Sequence, residues 1–391
     1  MKFWRSNQHA GCDGAILLIG LRAYFEHVSR WIRILPFVSR VIDKLRYVYA
    51  QQAKKARIKR ASKLLSGPPS IVLGEADVAM VCLIRNGMYY LDTLLSHHRK
   101  IGVKKFLFID NGSDDGTRER LAQEPGVTVI SNLLPVATYE CDMRAEIARE
   151  VISGGWFLFL DSDELLDLSH GEGRDITEYT AYCNAHDTTC VIAQRLDMYA
   201  PDPLAETESW NYEDSVRRFD QFSEYGITEF EYHDRENVDV WWFLSSNDVT
   251  NPAIKLKFGG IRGEIFGEDC GLTIHPLVKN LPGIDLRPHP HFASRVACAD
   301  FAVLVRHYKF AGPFLSRERQ QVALGTWQHG EGEKRLNVIQ DSDFSIRSVE
   351  DQQYSGTTDL VASGFLACSK RFLSQFPAPE PEARDKGQEH N

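Results

Sequence analysis

The sequence lacks an apolar run long enough to cross a membrane. Its most apolar run, Gly14 to Leu21, covers eight residues, whereas a helix through the bilayer core needs about 20. The run passes directly into charged and aromatic residues, without the small-residue cleavage site of a signal peptide. We therefore expect a cytoplasmic protein, with a peripheral position on the inner face of a membrane as a second option.

Paired cysteines are also missing. The eight cysteines, at positions 12, 82, 141, 183, 190, 270, 298 and 368, form no Cys-x-x-Cys pair. Such scattering fits reduced thiols better than a disulfide framework or a zinc site. It indicates a reducing compartment.

Positive charge is in short supply. The chain carries 45 Lys and Arg against 54 Asp and Glu, a formal net charge of −9. Nucleic-acid binding relies on a basic surface that neutralises phosphates, so nucleic acid is excluded as the general partner. With 391 residues, of which 43% are hydrophobic, the chain can form one large α/β domain with appendages or two intimate halves.

Residues 1–70 form a basic extension within this acidic protein. Apolar residues recur at spacings of three and four from Tyr24 to Tyr49, which is the period of an amphipathic helix, and Pro36 splits or kinks it. Basic residues from Arg22 to Lys63 occupy the other face. The pattern suits a helix on an anionic membrane surface and equally a helix packed on the main domain. Residues 66–70 (SGPPS) are then expected to form a linker.

From residue 77 strands and helices alternate. The pattern predicts strands at 78–84, 106–109, 127–130 and 156–160, with helices at about 89–101 and 139–152 between them. This alternation is typical of an α/β fold with a doubly wound, mostly parallel sheet and flanking helices. Farther on we expect loops and irregular strands over 205–250, helices at 300–307 and 315–324, and a disordered tail from Pro377.

Two carboxylates follow the predicted strand at 156–160. Asp161 and Asp163 leave its carboxyl end, where ligands bind in open α/β sheets. Two hard oxygen ligands at that place suit Mg²⁺ or Mn²⁺ bridging to a diphosphate. The alternative interpretation is an acidic turn that caps the next helix.

A second polar turn, residues 109–117 (IDNGSDDGT), also follows a strand and opens a helix. The side chains of Asp110 and Asp115 can face a base and ribose there, while Gly112 and Gly116 permit the tight turn. A purely structural turn is the alternative, because Asn-Gly and Asp-Gly are common turn formers.

Taken in order, these motifs resemble the family 2-like glycosyltransferases of the GT-A fold, in particular a bacterial branch. The opening strand with Arg85 and Asn86, the turn at 109–117, the segment 143–166 (MRAEIAREVISGGWFLFLDSDELL) and the later pieces GGIR, HPLVK, HPHF and VRHYKF carry the resemblance. It covers about residues 77–315, so residues 71–204 are expected to bind the nucleotide-sugar and residues 205–345 the acceptor, followed by a C-terminal segment at 346–391.

The resemblance implies a hexosyltransferase-like enzyme of surface polysaccharide or glycan synthesis. It implies a nucleotide-sugar donor, with UDP-sugar favoured, a glycan or lipid-linked acceptor, Mn²⁺ or Mg²⁺, and inversion at the anomeric carbon. Donor or cofactor binding falls to Arg85, Asn86, Asp110, Asp115, Arg144 and Asp161, metal binding to Asp161, Asp163, His291 and His307, and general base catalysis to Asp269.

Two rival functions stay open. A haloacid dehalogenase-type phosphatase also ends a strand with Asp-x-Asp, but Glu164 follows here, and the turn at Asp110 would have no role. A non-catalytic, membrane-associated binding protein could keep the fold without turnover, although both aspartates argue against it.

Overall fold

The computed structural model describes residues 44, 46, 48–324 and 330–379. One compact unit begins at Ile58, and residues 1–57 form a separate unit. The predicted amphipathic stripe from Tyr24 to Tyr49 therefore lies almost wholly outside the described residues, as does most of the predicted tail. No helix in the described part of the chain is long and apolar enough to cross a membrane.

Sixteen strands are present in the described residues. In chain order they are β1 Lys63–Ser66, β2 Ile71–Val72, β3 Val78–Ile84, β4 Lys105–Asp110, β5 Val127–Ser131, β6 Ile152–Ser153, β7 Trp156–Phe159, β8 Glu164–Asp167, β9 Cys190–Asp197, β10 Gln221–Phe222, β11 Ile227–Glu231, β12 Asp248–Val249, β13 Lys255–Gly259, β14 Thr273–Lys279, β15 Ala297–His307 and β16 Gln352–Gln353.

The helices alternate with the strands in the first half and cluster near the end. Residues 48–61 are helical and are called α1. The others are α2 Leu91–Lys100, α3 Thr117–Ala122, α4 Val136–Val151, α5 Ile176–Ala185, α6 Leu204–Thr207, α7 Tyr212–Arg218, α8 Trp241–Leu244, α9 Ile261–Phe266, α10 Phe314–Leu324, α11 Glu331–Val338, α12 Thr357–Ser363 and α13 Lys370–Gln375.

Ten strands form one mixed, mostly parallel sheet. Its order is β1-β5-β4-β3-β7-β14-β9-β15-β12, and β8 pairs with β15. The neighbours β5, β4, β3 and β7 are parallel, as are β9, β15 and β12. Only β1, β8 and β14 run antiparallel to their partners in this sheet. The coarse prediction of an α/β fold with a mostly parallel sheet flanked by helices is confirmed.

The chain order places a topological switch point between β3 and β7. The chain runs outward from β3 to β4 and β5, then returns to pair β7 with the other side of β3. In open α/β sheets, the crevice at such a reversal, beyond the carboxyl ends of the strands, is where ligands bind.

Alternate residues of the central strands enter two separate hydrophobic layers. In β3, Val78, Met80 and Cys82 join the layer that contains α2 and α5, whereas Ala79 and Val81 join the layer that contains α4. Because both faces are covered by helices, the strand is buried at nearly every position and reads as a continuous apolar run.

The predicted strands and helices between residues 78 and 160 are confirmed with shifts of a few residues at their ends. The helix predicted at 300–307 is wrong, because those residues belong to β15. This strand pairs with β9 and β8 and is buried on both of its faces. A continuous apolar run does not distinguish such a strand from a buried helix. The helix predicted at 315–324 is confirmed as α10.

The linker predicted at residues 66–70 overlaps a strand of the sheet at its first residue. Ser66 is the last residue of β1, which pairs antiparallel with β5 at the sheet edge, and Ile58 of the preceding helix is buried in the α4 layer. The region 205–250 is irregular as predicted, with short helices and strands of two to five residues. After it, β14 inserts between β7 and β9, so both predicted halves share one sheet.

Candidate functional site

The carboxyl end of β7 forms a tight, hydrogen-bonded turn that presents Asp161 and Asp163. The amide of Asp161 donates to the carboxylate of Glu164 at 2.9 Å, and Arg195 donates to the other oxygen of Glu164 at 3.1 Å. Glu164 is buried, whereas the side chain of Asp161 is 46% exposed. Glu164 thus shapes the turn from inside while the Asp161 carboxylate stays accessible.

Arg144 lies under this turn. It is buried on α4 and pairs with Asp161 and, at 3.3 Å, with Glu140. Burial opposes ionisation of Asp161, but the Arg144 cation outweighs it and lowers the pKa of that carboxyl. Arg144 thus holds Asp161 in place, and its contact with a donor diphosphate stays a prediction.

Asp163 faces His307, the last residue of β15. Its carboxylate lies 3.5 Å from His307 Nε2, and His307 Nδ1 lies 2.5 Å from Asp197 at the end of β9. Burial disfavours the charged forms, yet the attraction between these groups raises the pKa of His307 and lowers the pKa of Asp163, while Arg262 and then His307 lower the pKa of Asp197. The three side chains form a chain of contacts from the turn after β7 through β15 to β9.

Two more cations approach Asp163 from the segment after β15. The charges of Lys309 and Arg317 both contribute to the low pKa of Asp163. Arg317 donates to the hydroxyl of Tyr90 and, at 2.9 Å, to the carbonyl of Lys309. This wall of the site is therefore positively charged and tied to the start of α2.

Arg287 was missed by the sequence reasoning. Its side chain is 7% exposed, its Nε has no hydrogen-bond partner, and it stacks over Phe159 at 5.2 Å. Burial and the nearby Arg144 cation lower the pKa of Arg287 to about 10, partly offset by Asp161. A buried cation that lacks a full set of partners beside an acidic pair is a candidate anion ligand. The only sequence signal was a basic residue before the HPHF segment.

The loops after β3 and β4 are joined beside the switch point. Asn86, which has a positive φ of 54°, accepts from the amide of Asp114 at 2.9 Å, and its own amide donates to Ser113 at 2.9 Å. Asp115 accepts from the amides of Met88 and Thr117, both at 3.0 Å. Arg85 is exposed at the end of β3. The structure thus brings Arg85, Asn86 and Asp115 to one edge.

The carboxylate of Asp110, the last residue of β4, is engaged by the turn that follows it. It is fully buried, and its carboxylate accepts from the amides of Gly112 and Ser113 and from Arg118, at 3.1, 3.0 and 2.8 Å. Its oxygens are occupied by the turn itself. We therefore assign Asp110 a role in loop geometry, and its contact with a base stays a prediction.

Asn111 is likewise engaged by protein. Its side-chain amide donates to the carbonyls of Asn132 and Leu134 at 2.7 and 2.9 Å. The two residues together fix the path of the loop that follows β4 against the loop that follows β5.

The predicted acidic pair Glu268-Asp269 divides into two roles. Glu268 is buried between Arg262 and Arg335, at 3.5 and 2.5 Å. Asp269 is exposed and, in the described part of the chain, pairs with no residue of the site. Asp269 alone of the two has a carboxylate free to accept a proton, and its assignment as the base stays a prediction.

The two predicted metal-binding histidines also differ. His307 reaches Asp163, whereas burial and, after it, the charges of Arg195 and Arg287 lower the pKa of His291 well below its usual value. Metal ligation by His291 alongside Asp163 is not supported. Asp163 and His307 Nε2 lie together, and carboxylate ligands are those that Mn²⁺ and Mg²⁺ favour. In the described residues Asp161 does not join them in a three-ligand cluster, so the metal site of Asp161, Asp163 and His307 stays a prediction.

A row of buried ion pairs extends from Asp197 to Glu318. Arg262 donates to Asp197 at 2.8 Å and also meets Glu268, which Arg335 joins to Glu318 at 2.7 Å. Each carboxylate in this row faces at least one guanidinium. Removing one partner would leave a buried charge uncompensated, so the row fixes α9, α10 and α11 relative to one another.

No protein-family model matches this chain. No curated protein matches it either.

Proposed function

We propose that this protein is an inverting glycosyltransferase of the GT-A fold that moves a sugar from a nucleotide-sugar donor, with UDP-sugar favoured, to a hydroxyl of a glycan or lipid-linked acceptor. One observation carries the proposal. Asp161 and Asp163 leave β7 at the switch point, and four buried or half-buried cations, Arg144, Arg287, Lys309 and Arg317, surround them.

This combination of charges suits a metal diphosphate. Asp161, Asp163 and His307 would hold Mn²⁺ or Mg²⁺, which would neutralise the charge that develops on the departing diphosphate. Arg287 and Lys309 add positive charge on the phosphate oxygens from two sides. The joined loops with Asn86 and Asp115 stand next to the same edge, where the nucleoside would extend.

The direct test is a thermal-shift screen of nucleoside diphosphates and nucleotide-sugars with and without Mn²⁺. A ligand that binds only the native state stabilises it by about 2.7 kcal/mol at a concentration 100 times its Kd. We expect UDP or a UDP-sugar to raise the Tm in the presence of Mn²⁺ and to be hydrolysed slowly without acceptor. If neither nucleotide class shifts the Tm under any metal condition, the proposal fails.

The same preparation separates the two rival functions. Hydrolysis of a simple aryl phosphate that survives loss of Asp115 would indicate a phosphatase, because the loop after β4 has no role in that chemistry. Donor binding without transfer or hydrolysis across a broad acceptor screen would indicate a binding protein.

A further inference from the structure

A second cluster of metal-ligand atoms lies away from the proposed nucleotide site. In the part of the chain that the structure describes, one group of three His, Cys or carboxylate ligand atoms lies within 4.8 Å, and it consists of Cys190, His275 and Cys298. All three residues are at most 1% exposed. They are far apart in sequence, which is why the spacing of the cysteines did not indicate a zinc site.

The sheet itself brings the three side chains together. Cys190 opens β9 and pairs in register with Cys298 near the start of the parallel strand β15. His275 comes from β14 on the other side of β9, at an irregularity in the pairing between Ile274 and Leu277. Neighbouring strands lie about 4.8 Å apart, so side chains on one face of three adjacent strands can converge on one point.

The histidine is oriented by hydrogen bonds to its own surroundings. The amide of Ala293 donates to His275 Nδ1 at 3.1 Å, and the same ring nitrogen lies 3.2 Å from the Ala293 carbonyl oxygen, to which Asn247 donates at 3.1 Å. Metal binding at Nε2 places the proton on Nδ1, where it donates to the carbonyl in place of the bond from the amide. A backbone carbonyl on the distal ring nitrogen is the usual outer partner of a metal-bound histidine.

Tyr232 closes the remaining side of the cluster. Its hydroxyl oxygen lies 3.0 Å from His275 Nε2 and accepts from Asn247 at 3.0 Å. Two thiols, one imidazole and one phenol oxygen therefore meet at one buried point, which gives four donor atoms in all.

We propose that Cys190, His275 and Cys298 bind one structural Zn²⁺ ion, with Tyr232 at the fourth position. Sulfur and imidazole ligands select zinc over Mg²⁺ or Mn²⁺. Ligand atoms about 2.0–2.3 Å from a tetrahedral zinc ion lie about 3.3–3.8 Å from one another, within the extent of this cluster. Binding releases the two thiol protons to solvent, so the ion and its two thiolates sum to zero charge, as an apolar interior requires.

The proposed ion is structural because it lies at the wrong end of its strands for chemistry. Cys190 opens β9, and Asp197 ends it; Cys298 stands near the start of β15, and His307 ends it. At about 3.3 Å per residue, the two ends of each strand are more than about 20 Å apart. The ion would fix the register of the strands that carry Asp197 and His307.

The test is the metal content of the full-length protein, purified under reducing conditions from zinc-supplemented cells. We expect about one zinc ion per chain by elemental mass spectrometry, and at least a tenfold loss of bound zinc in Cys298→Ser. Cys183→Ser is the matched control, because this buried cysteine lies in the opposite layer. It should keep its zinc, and so should Asp163→Asn, which separates this ion from the proposed catalytic metal.

A second measurement needs no variant. We expect zinc to protect Cys190 and Cys298, and not Cys141, from alkylation in the native protein, and strong chelation to abolish that protection and lower the Tm by several degrees. The proposal is overturned by zinc-free protein that takes up no zinc on refolding with it, by unchanged zinc in Cys298→Ser, or by a Cys190–Cys298 disulfide in freshly purified protein.

Discussion

Asp163 is held through its carboxylate and also through its backbone. His307 Nε2 lies 3.5 Å from the carboxylate, and the backbone carbonyl of Asp163 accepts from the amide of Tyr308 at 2.8 Å. Its side chain keeps 18% of its surface exposed. A carboxylate that is positioned this firmly and still accessible suits ligation of a hard cation.

Asp163→Asn tests this assignment. An amide oxygen is a poorer ligand for a hard cation, and a loss of about 3 kcal/mol of transition-state stabilisation corresponds to about 100-fold in rate. We expect at least that loss of Mn²⁺-dependent donor hydrolysis, with an unchanged circular dichroism spectrum. The exposed Asp343 provides the control, Asp343→Asn. Full activity of a folded Asp163→Asn protein after chelation and return of Mn²⁺ would exclude the role.

Arg287→Met should move stability and binding in opposite directions. Methionine keeps the packing over Phe159 but removes a buried cation that lacks a full set of partners, so the Tm should stay the same or rise. The affinity for UDP should fall about tenfold to a hundredfold, because a charge-assisted hydrogen bond contributes about 1.5–3 kcal/mol. Calorimetry and a melting curve measure the two effects.

The control for that experiment is Arg295→Met, since the Arg295 side chain is 61% exposed. A loss of stability in Arg287→Met together with unchanged UDP affinity would show that Arg287 is a packing residue.

At the scale of the elements, the loops after β3 and β4 form a single unit. Hydrogen bonds from both loops run through Asn86 and Asp115, and Asp110 shapes the second loop from within. Gly112 and Gly116 have φ of 91° and 93°, which residues with a side chain rarely adopt. The unit is therefore built before any ligand arrives.

Asp110→Ala is expected to damage this unit rather than a single ligand contact. Burying the amides of Gly112 and Ser113 without their acceptor should lower the free energy of unfolding by about 1–3 kcal/mol. Urea denaturation measures this loss, and Asp114→Ala in the same turn is the control, because the Asp114 side chain is exposed. Undiminished stability combined with weaker nucleotide binding would restore a direct base contact for Asp110.

At the scale of the whole molecule, the C-terminal segment is fastened to β15. Asp300 is buried and accepts from Ser369 at 2.5 Å, Arg371 at 2.8 Å and Tyr182 at 3.0 Å. Phe372 stacks on Phe301 at 4.1 Å. The chain therefore closes on the strand that carries His307.

This fastening predicts a pH-dependent stability. Burial opposes ionisation of Asp300, but hydrogen bonds from Ser369 and Arg371 outweigh it and lower its pKa below 3.8. The stabilisation is present above the unfolded pKa and is lost as pH falls through the folded one. Asp300→Asn should be about 1–3 kcal/mol less stable near pH 7, with the difference shrinking below about pH 4.

Urea unfolding of both proteins between pH 3 and 7 checks this expectation, and Asp285→Asn serves as the control because its carboxylate is half exposed. A difference between Asp300→Asn and the parent that stays constant down to pH 3 would contradict the assignment.

The basic extension gives a prediction for membrane association. Ile58 and β1 belong to the compact unit, and Ile58 lies in α1, which includes residues 48–61. The deletion that tests the extension should therefore remove residues 1–43 and leave α1 intact. We expect the full chain to cosediment with anionic vesicles at low salt, the shortened chain to be released, and donor hydrolysis to persist in both. Equal sedimentation of the two chains would place any membrane contact elsewhere.

The sequence by itself determined the layered architecture and the position of the acidic pair. Alternating apolar strands and amphipathic helices between residues 78 and 160 required a parallel sheet covered on both faces, because local periodicity reflects which side of each element is buried. It also placed Asp161 and Asp163 directly after a buried strand, since a strand end can be read from adjacent residues alone.

Only the tertiary structure decided which distant residues meet these carboxylates. His307 rather than His291 reaches Asp163, and Arg287 comes beside Asp161. The strand character of β15 and the convergence of Cys190 with Cys298 depend equally on which strands become neighbours. Strand order is fixed by packing over the whole chain, so no local pattern carries that information.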